Sequence, residues 1–99
     1  MERPAWVYIV ASQRNGTIYI GHSTDLAQRI HQHREGQVPG FTRKYECKQL
    51  VWFERFSNVI EAREFEQRMK KWNRAWKLKR IEERNPQWLD LYEGLASHA

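Results

Sequence analysis

The sequence predicts an α+β domain: a small three-stranded sheet flanked by helices, in the order β-β-α-β-α-α. Three observations lead there. Two apolar strand patterns near the start, Val7-Tyr8-Ile9 and Tyr19-Ile20-Gly21, are divided by Asn15-Gly16. A third run rich in strand formers, Leu50-Val51-Trp52-Phe53-Glu54-Arg55-Phe56, follows a stretch containing Pro39-Gly40. Elsewhere apolar residues recur at helical spacing, as in Leu26 and Ile30, or in Ala62, Phe65, Met69, Trp72, Trp76 and Ile81.

Asn and Gly tolerate the positive φ angles of a tight type I′ turn, so the first two runs read as a hairpin with strands Trp6–Ala11 and Thr17–Gly21. With Asn15 and Gly16 as the turn, Arg14 faces Thr17 and paired positions sum to an odd number. Side chains alternate along a strand, so any odd-sum register sets Tyr8 and Tyr19 on one face.

The first helix starts around Ser23, Thr24 or Asp25, all good N-caps, and stops at Gly36, a typical residue just past a helix end. Leu26 and Ile30 form its buried stripe, with His33 one turn onward. Val38–Lys48 reads as a loop. Asn58 with Glu61 has the spacing of a capping box and opens the second helix. Continued without a break, its pattern would exceed about 25 residues, long for a domain of this size, so a break is expected near Asn73. The third helix then ends before Asn85-Pro86, because proline forbids continuation. Met69, Trp72 and Trp76 offer themselves as a base-stacking surface, but at this spacing they read as core. Ala96–Ala99 reads as a frayed tail.

Ninety-nine residues make one domain spanning 1–99, with 40% hydrophobic and 13% aromatic residues to build its core. Cys47 is the single cysteine, so no internal disulfide forms, which suits a reducing cytoplasm. No motif surrounds Cys47, and it reads as an inert small residue. The first apolar run is too short for a secretory signal, and no run approaches the roughly 20 apolar residues of a membrane helix. Net charge is +5, and residues 55–84 carry all of it, with ten Lys/Arg against five Glu. Within them Arg68, Lys70, Lys71, Arg74, Lys77, Lys79 and Arg80 run without an acid. Such a stripe attracts a phosphate backbone by Coulomb interaction and counterion release, or is simply a solvated helix face.

The hairpin resembles the signature of the GIY-YIG nuclease family, in a variant whose first element reads Val-Tyr-Ile. Three further elements follow in the family's order: Arg29, then His33 one turn later, then Glu66 on a later helix, within Glu61-Ala62-Arg63-Glu64-Phe65-Glu66. The resemblance covers roughly residues 5–84, leaves 85–99 as a C-terminal extension, and is nearest to the small stand-alone bacterial members. It implies the architecture read above with an antiparallel sheet, and a metal-dependent endonuclease.

Hydrolysing a phosphodiester needs an activated water, stabilisation of charge on phosphorus and help for the leaving oxygen. By resemblance Tyr8 and Tyr19 are the signature tyrosines, Tyr8 favoured as general base and Tyr19 as positioning water or phosphate. A phenol with pKa near 10 is a poor base at neutral pH, so a cation such as Arg29, or the metal, has to depress it. Arg29 and His33 lie at i, i+4 and project from one helix face. Arg29 carries over as transition-state stabiliser, able to clamp phosphate oxygens bidentately. His33 falls where the family hydrogen-bonds a hairpin tyrosine, and it can accept a proton. Glu66 borders the stripe of Phe65 and Met69, which orients it for one octahedral Mg²⁺ or Mn²⁺ held otherwise by water and phosphate; the plain alternative is a surface pair with Lys70. His31 and His33, about 200° apart on a helix, argue against a shared zinc.

Nucleic-acid contacts are expected from Gly21 and from His22, which stands where some relatives carry lysine. Lys70, Lys71, Arg74 and Lys77 in the basic stripe join them, as do Thr42 and Tyr45, which resemble a Thr-x-x-Tyr stretch of similar small members. The expected partner is nucleic acid, DNA more than RNA, with a monomer or weak homodimer. The rival readings are a nucleic-acid-binding module with little catalysis, and a subunit whose Trp88–Tyr92 segment docks a protein that supplies specificity. Repair, recombination, defence against mobile elements and turnover are the candidate pathways.

Overall fold

The computed structural model describes residues 3–97. Strand β1 (Ala5–Ala11) lies at the centre of an antiparallel sheet of order β2-β1-β3, between β2 (Ile18–Ser23) and β3 (Gln49–Phe56). Its central place follows from its sequence, an almost unbroken apolar run that is buried on both faces. Val7, Ile9 and Ala11 pack against Ala62, Met69 and Ile81, while Tyr8 and Val10 pack against Leu26 and Ile30. Helix α1 (Leu26–Arg34) therefore covers one face, and α3 (Val59–Lys70) with α4 (Arg74–Arg84) the other. The α+β architecture with an antiparallel three-stranded sheet is as the sequence predicts.

The hairpin differs from expectation in its turn. Ala11 pairs Ile18 and Tyr8 pairs Gly21, an odd-sum register displaced by one pair from that of a two-residue turn. Ser12 donates its amide to the Thr17 carbonyl and its Oγ accepts from the Thr17 amide, so the loop is longer than Asn15-Gly16. Only Asn15 within it has positive φ, at 58°, where a type I′ turn needs two such residues. Tyr8 and Tyr19 nevertheless share a face, because the parity is preserved.

The helix ends are where the sequence sets them. The Asp25 side chain accepts from the Gln28 amide, Asn58 from Glu61 and Asn73 from Trp76. Gly36, at φ 68°, closes α1 with its amide on the His33 carbonyl and that of Gln37 on the Gln32 carbonyl, a Schellman pairing. The stretch read as a loop after α1 contains one short helix, α2 (Phe41–Lys44), which opens at Gly40 with φ 93°. The expected break falls at residues 71–73, between α3 and α4.

That break corrects the reading of Trp76 as core. Tightened turns at Lys71 and Trp72 reset the helical phase, so Leu78 and Ile81 face the core and Trp76 is 60% exposed. Met69 is buried and Trp72 half-buried, as expected of core residues. The C-terminal stretch also departs from expectation. Ala96 and Ser97 belong to a further helix, α5 (Tyr92–Ser97), and of the expected tail His98 and Ala99 lie outside the described residues. Trp88 is buried in this chain's own core, Leu91 and Tyr92 are half-buried, and Leu89 is exposed.

Candidate active site at the β2 edge

Gly21 sits directly across the sheet from Tyr8, and the Tyr8 ring lies over it. A Cβ built on Gly21 would come within 2.5 Å of the Tyr8 Oη, so glycine is required for the phenol to occupy this place. Tyr8 and His33 meet with Oη and Nε2 2.9 Å apart, both side chains buried. Tyr19, half-buried on the same face, holds its ring 5.9 Å from that of His33. The α1 stripe of Leu26 and Ile30 sets the helix on the sheet, which carries His33 onto Tyr8.

Burial and the nearby Arg29 lower the His33 pKa from its ordinary 6.5 to about 4, so its imidazole is neutral at pH 7. A neutral ring facing a phenol through Nε2 accepts the phenol's proton in the hydrogen bond. Nδ1 then carries the ring hydrogen, and it has no partner among the described residues. Of the two groups expected to depress the Tyr8 phenol, Arg29 by itself does not do so. Burial and the Tyr19 phenol raise the Tyr8 pKa, and the opposing pull of Arg29 is outweighed. Arg29 is half-buried; its amide donates to the Asp25 carbonyl, and its side chain makes no hydrogen bond or ion pair among the described residues.

Glu66 approaches from the other side of the sheet. His22 pairs with Val7, which places its imidazole on the α3 face, and its Nδ1 lies 2.9 Å from Glu66 Oε1. Lys70 Nζ stands 3.5 Å from Glu66 Oε2 and 5.7 Å from the Tyr19 ring centre, bridging the two halves around β2. Glu66 is 92% buried at the level of the residue, being only 8% exposed. No group of three or more His, Cys, Asp or Glu able to hold an ion occurs among the described residues, so Glu66 with its neighbour His22 is the donor set on offer.

The remaining expected contacts are scattered rather than aligned. Thr42 is buried, while Tyr45 is exposed with its ring 4.7 Å from that of Phe41. Arg74 donates to the Asn15 and Gly16 carbonyls and so latches the hairpin loop. Lys77 donates to the Lys70 carbonyl, and exposed Lys71 caps α3. Arg80 lies over the Trp72 ring. Two features escape the sequence reading. The pairing of His22 with Glu66 spans 44 residues with no local signal. Phe41 beside Tyr19 was foreshadowed only by an aromatic residue following Pro-Gly.

The structure thus gathers Tyr8, Tyr19, His33, Arg29 and Glu66 around one sheet edge. The GIY-YIG catalytic domain matches residues 4–79, and the chain belongs to that family. Among its relatives, a UPF0213 protein of Staphylococcus haemolyticus is 38% identical over 79 residues, covering 80% of this chain and 95% of that one. A UPF0213 protein of Bacillus licheniformis is 31% identical over 90 residues, 91% of this chain and 93% of the other. The solution NMR structure of a UPF0213 protein from Bacillus halodurans is similar over 77% of this chain and 80% of its own, at 30% identity and a TM-score of 0.47. Among the described residues no helix is long and apolar enough to cross a membrane.

Proposed function

We propose that this chain is a metal-dependent endonuclease that hydrolyses phosphodiester bonds in nucleic acid, with DNA as the favoured substrate. The observation that carries the reading is the buried Tyr8–His33 hydrogen bond with an unpaired Arg29 beside it. A folded core has no use for a half-buried guanidinium without a partner, whereas a phosphodiester anion and its more highly charged transition state would supply one.

Because Tyr8 holds its proton firmly, it need not be a free phenolate to act. As Tyr8 Oη takes a proton from the attacking water, it passes its own to His33 Nε2, which is neutral and already in hydrogen-bond contact. Water oxygen bonds to phosphorus in line and the bond to the 3′-oxygen breaks. That oxygen takes a proton from solvent while His33 returns its own to solvent, leaving a 5′-phosphate and a 3′-hydroxyl. Arg29 stabilises the charge on the equatorial oxygens, and Tyr19 positions water or phosphate. Glu66 fits the role of single protein ligand to Mg²⁺ or Mn²⁺: it is buried, its Oε1 is fixed by His22, and Lys70 sits loosely at Oε2. When bound, such an ion supplies positive charge to the phosphate.

The test is a labelled panel of duplex, flap, junction and single-stranded DNA with Mg²⁺, Mn²⁺ or EDTA, with Glu66→Ala purified in parallel. Cleavage that needs the metal and vanishes in Glu66→Ala supports the reading; equal cleavage by both proteins removes Glu66 from the site. One observation favours a second reading, a nucleic-acid-binding module: both Glu66 oxygens already have nitrogen partners within the chain, His22 Nδ1 and Lys70 Nζ. Salt-sensitive binding without cleavage in either metal would select it.

A further inference from the structure

Beside Tyr19, on the outer side of the edge strand, a cavity of about 290 Å³ is lined by Ile18, Tyr19, Ile20, Phe41, Lys70 and Lys77. We propose that it holds one unpaired nucleotide of a DNA substrate, the base against Phe41 and the flanking phosphates on Lys70 and Lys77. The proposal rests on the nuclease reading for its place in catalysis and names the substrate class that the reading leaves open.

The lining divides by chemistry into two parts. Ile18, Ile20 and Phe41 make an apolar wall, and Phe41 is 45% exposed although its ring lies 6.2 Å from the Tyr19 ring. Tyr45 packs against that ring at 4.7 Å and holds it in place. An exposed, supported aromatic face next to cations is the arrangement that receives an unstacked base, since every base has a π-face and every nucleotide a phosphate. A volume near 300 Å³ is at the lower end of small-molecule sites and suits one nucleotide rather than a groove-filling duplex. The bases of a continuous duplex are stacked on each other and cannot offer a face to Phe41.

The position of the cavity links it to the chemistry. Lys70 lines it while standing 3.5 Å from Glu66 Oε2, and Tyr19 belongs to both the cavity and the site. A nucleotide lodged here brings its own phosphate to the edge where Tyr8, Arg29 and Glu66 converge. The unpaired nucleotide of a single strand, a flap or a bulge can reach this place.

Binding in EDTA separates this proposal from catalysis. Labelled DNA of one sequence is offered to the intact chain as a single strand, a full duplex and a duplex with one unpaired nucleotide, and binding is followed by fluorescence anisotropy. The unpaired forms are expected to bind more tightly than the duplex. Phe41→Leu, which keeps apolar bulk without a π-face, is expected to weaken them about tenfold and leave the duplex nearly unchanged, with Phe41→Trp restoring affinity. Equal affinity for all three forms, or a Phe41→Leu loss shared equally among them, overturns the proposal. Absence of cleavage together with the Phe41 pattern defeats the nuclease reading alone, whereas cleavage and binding both indifferent to Phe41 defeat the cavity alone.

Discussion

At the β3 edge of the sheet, side chains from the C-terminal segment meet the strand's backbone groups, although the buried Trp52 Nε1 has no partner among the described residues. Asn85, buried, donates to the Val51 and Leu89 carbonyls and accepts from the Leu89 amide. Asp90 accepts from the Leu50 amide, and the Leu50 carbonyl accepts from Leu91. Arg84 reaches the Phe53 carbonyl and the Glu54 carboxylate. Val51, the extra residue of a bulge between the Ile9–Trp52 and Val10–Leu50 pairs, is thereby covered rather than left as an open template. At the β2 edge the Arg29 side chain has no partner among the described residues, His33 keeps Nδ1 unpaired, and burial displaces the pKa of both Tyr8 and His33. The two edges thus differ in how far their polar side chains are satisfied within the described residues, and under the proposed function that difference has a purpose. The contrast separates residues whose loss unfolds the chain from residues whose loss leaves it folded and idle.

Arg29→Met is the sharpest way to break that contrast. Removing a transition-state donor of this kind is expected to cost about 10³-fold in cleavage, roughly 4 kcal/mol of barrier. Thermal stability should hold or rise, because an unpaired charge leaves a half-buried place. The two readouts are the cleavage rate on the preferred substrate and the melting temperature. A large fall in melting temperature with cleavage unchanged would make Arg29 structural and erase the distinction between the edges.

Asn85→Ala is the converse. It strips the three side-chain hydrogen bonds that tie the buried Val51 carbonyl and the Leu89 carbonyl and amide to the end of α4. A loss of about 3 kcal/mol in unfolding free energy is expected, measured by urea titration. Cleavage per folded molecule at low temperature should not change.

How far each edge was legible in the sequence follows the same division between local and distant causes. The cap at Asn58, the start of α1 among Ser23, Thr24 and Asp25, the break near Asn73 and the helix end at Gly36 act within a few residues and are read directly. The shared face of Tyr8 and Tyr19 followed from parity alone, although the turn was longer than Asn15-Gly16. Trp76 was misread because a three-residue break shifts helical phase, and no periodicity carried across it can show that. Asn85 was taken only as a stop before proline, since its partner Val51 lies 34 residues away. The site residues could be nominated by resemblance, but the burial that raises Tyr8 and the His22 hold on Glu66 are products of packing.

The smallest expected effect is a pH dependence that originates at His33. Its folded pKa of about 4 lies below the ordinary 6.5, so as pH falls through 6.5 the unfolded chain takes up a proton that the folded chain refuses. The stability belonging to the neutral ring is thus fully present above 6.5 and is lost progressively down to about 4, at up to about 1.4 kcal/mol per pH unit. Urea unfolding at pH 6.5 and 5.5 should show a difference of about 1 kcal/mol that disappears in His33→Phe. Arg29→Met should shrink it as well, because burial comes first among the causes of the low pKa and repulsion from the guanidinium second. A slope that survives both substitutions would place the titrating group elsewhere. A slope lost in His33→Phe but untouched in Arg29→Met would assign the effect to desolvation alone and leave Arg29 without influence on the ring beside it.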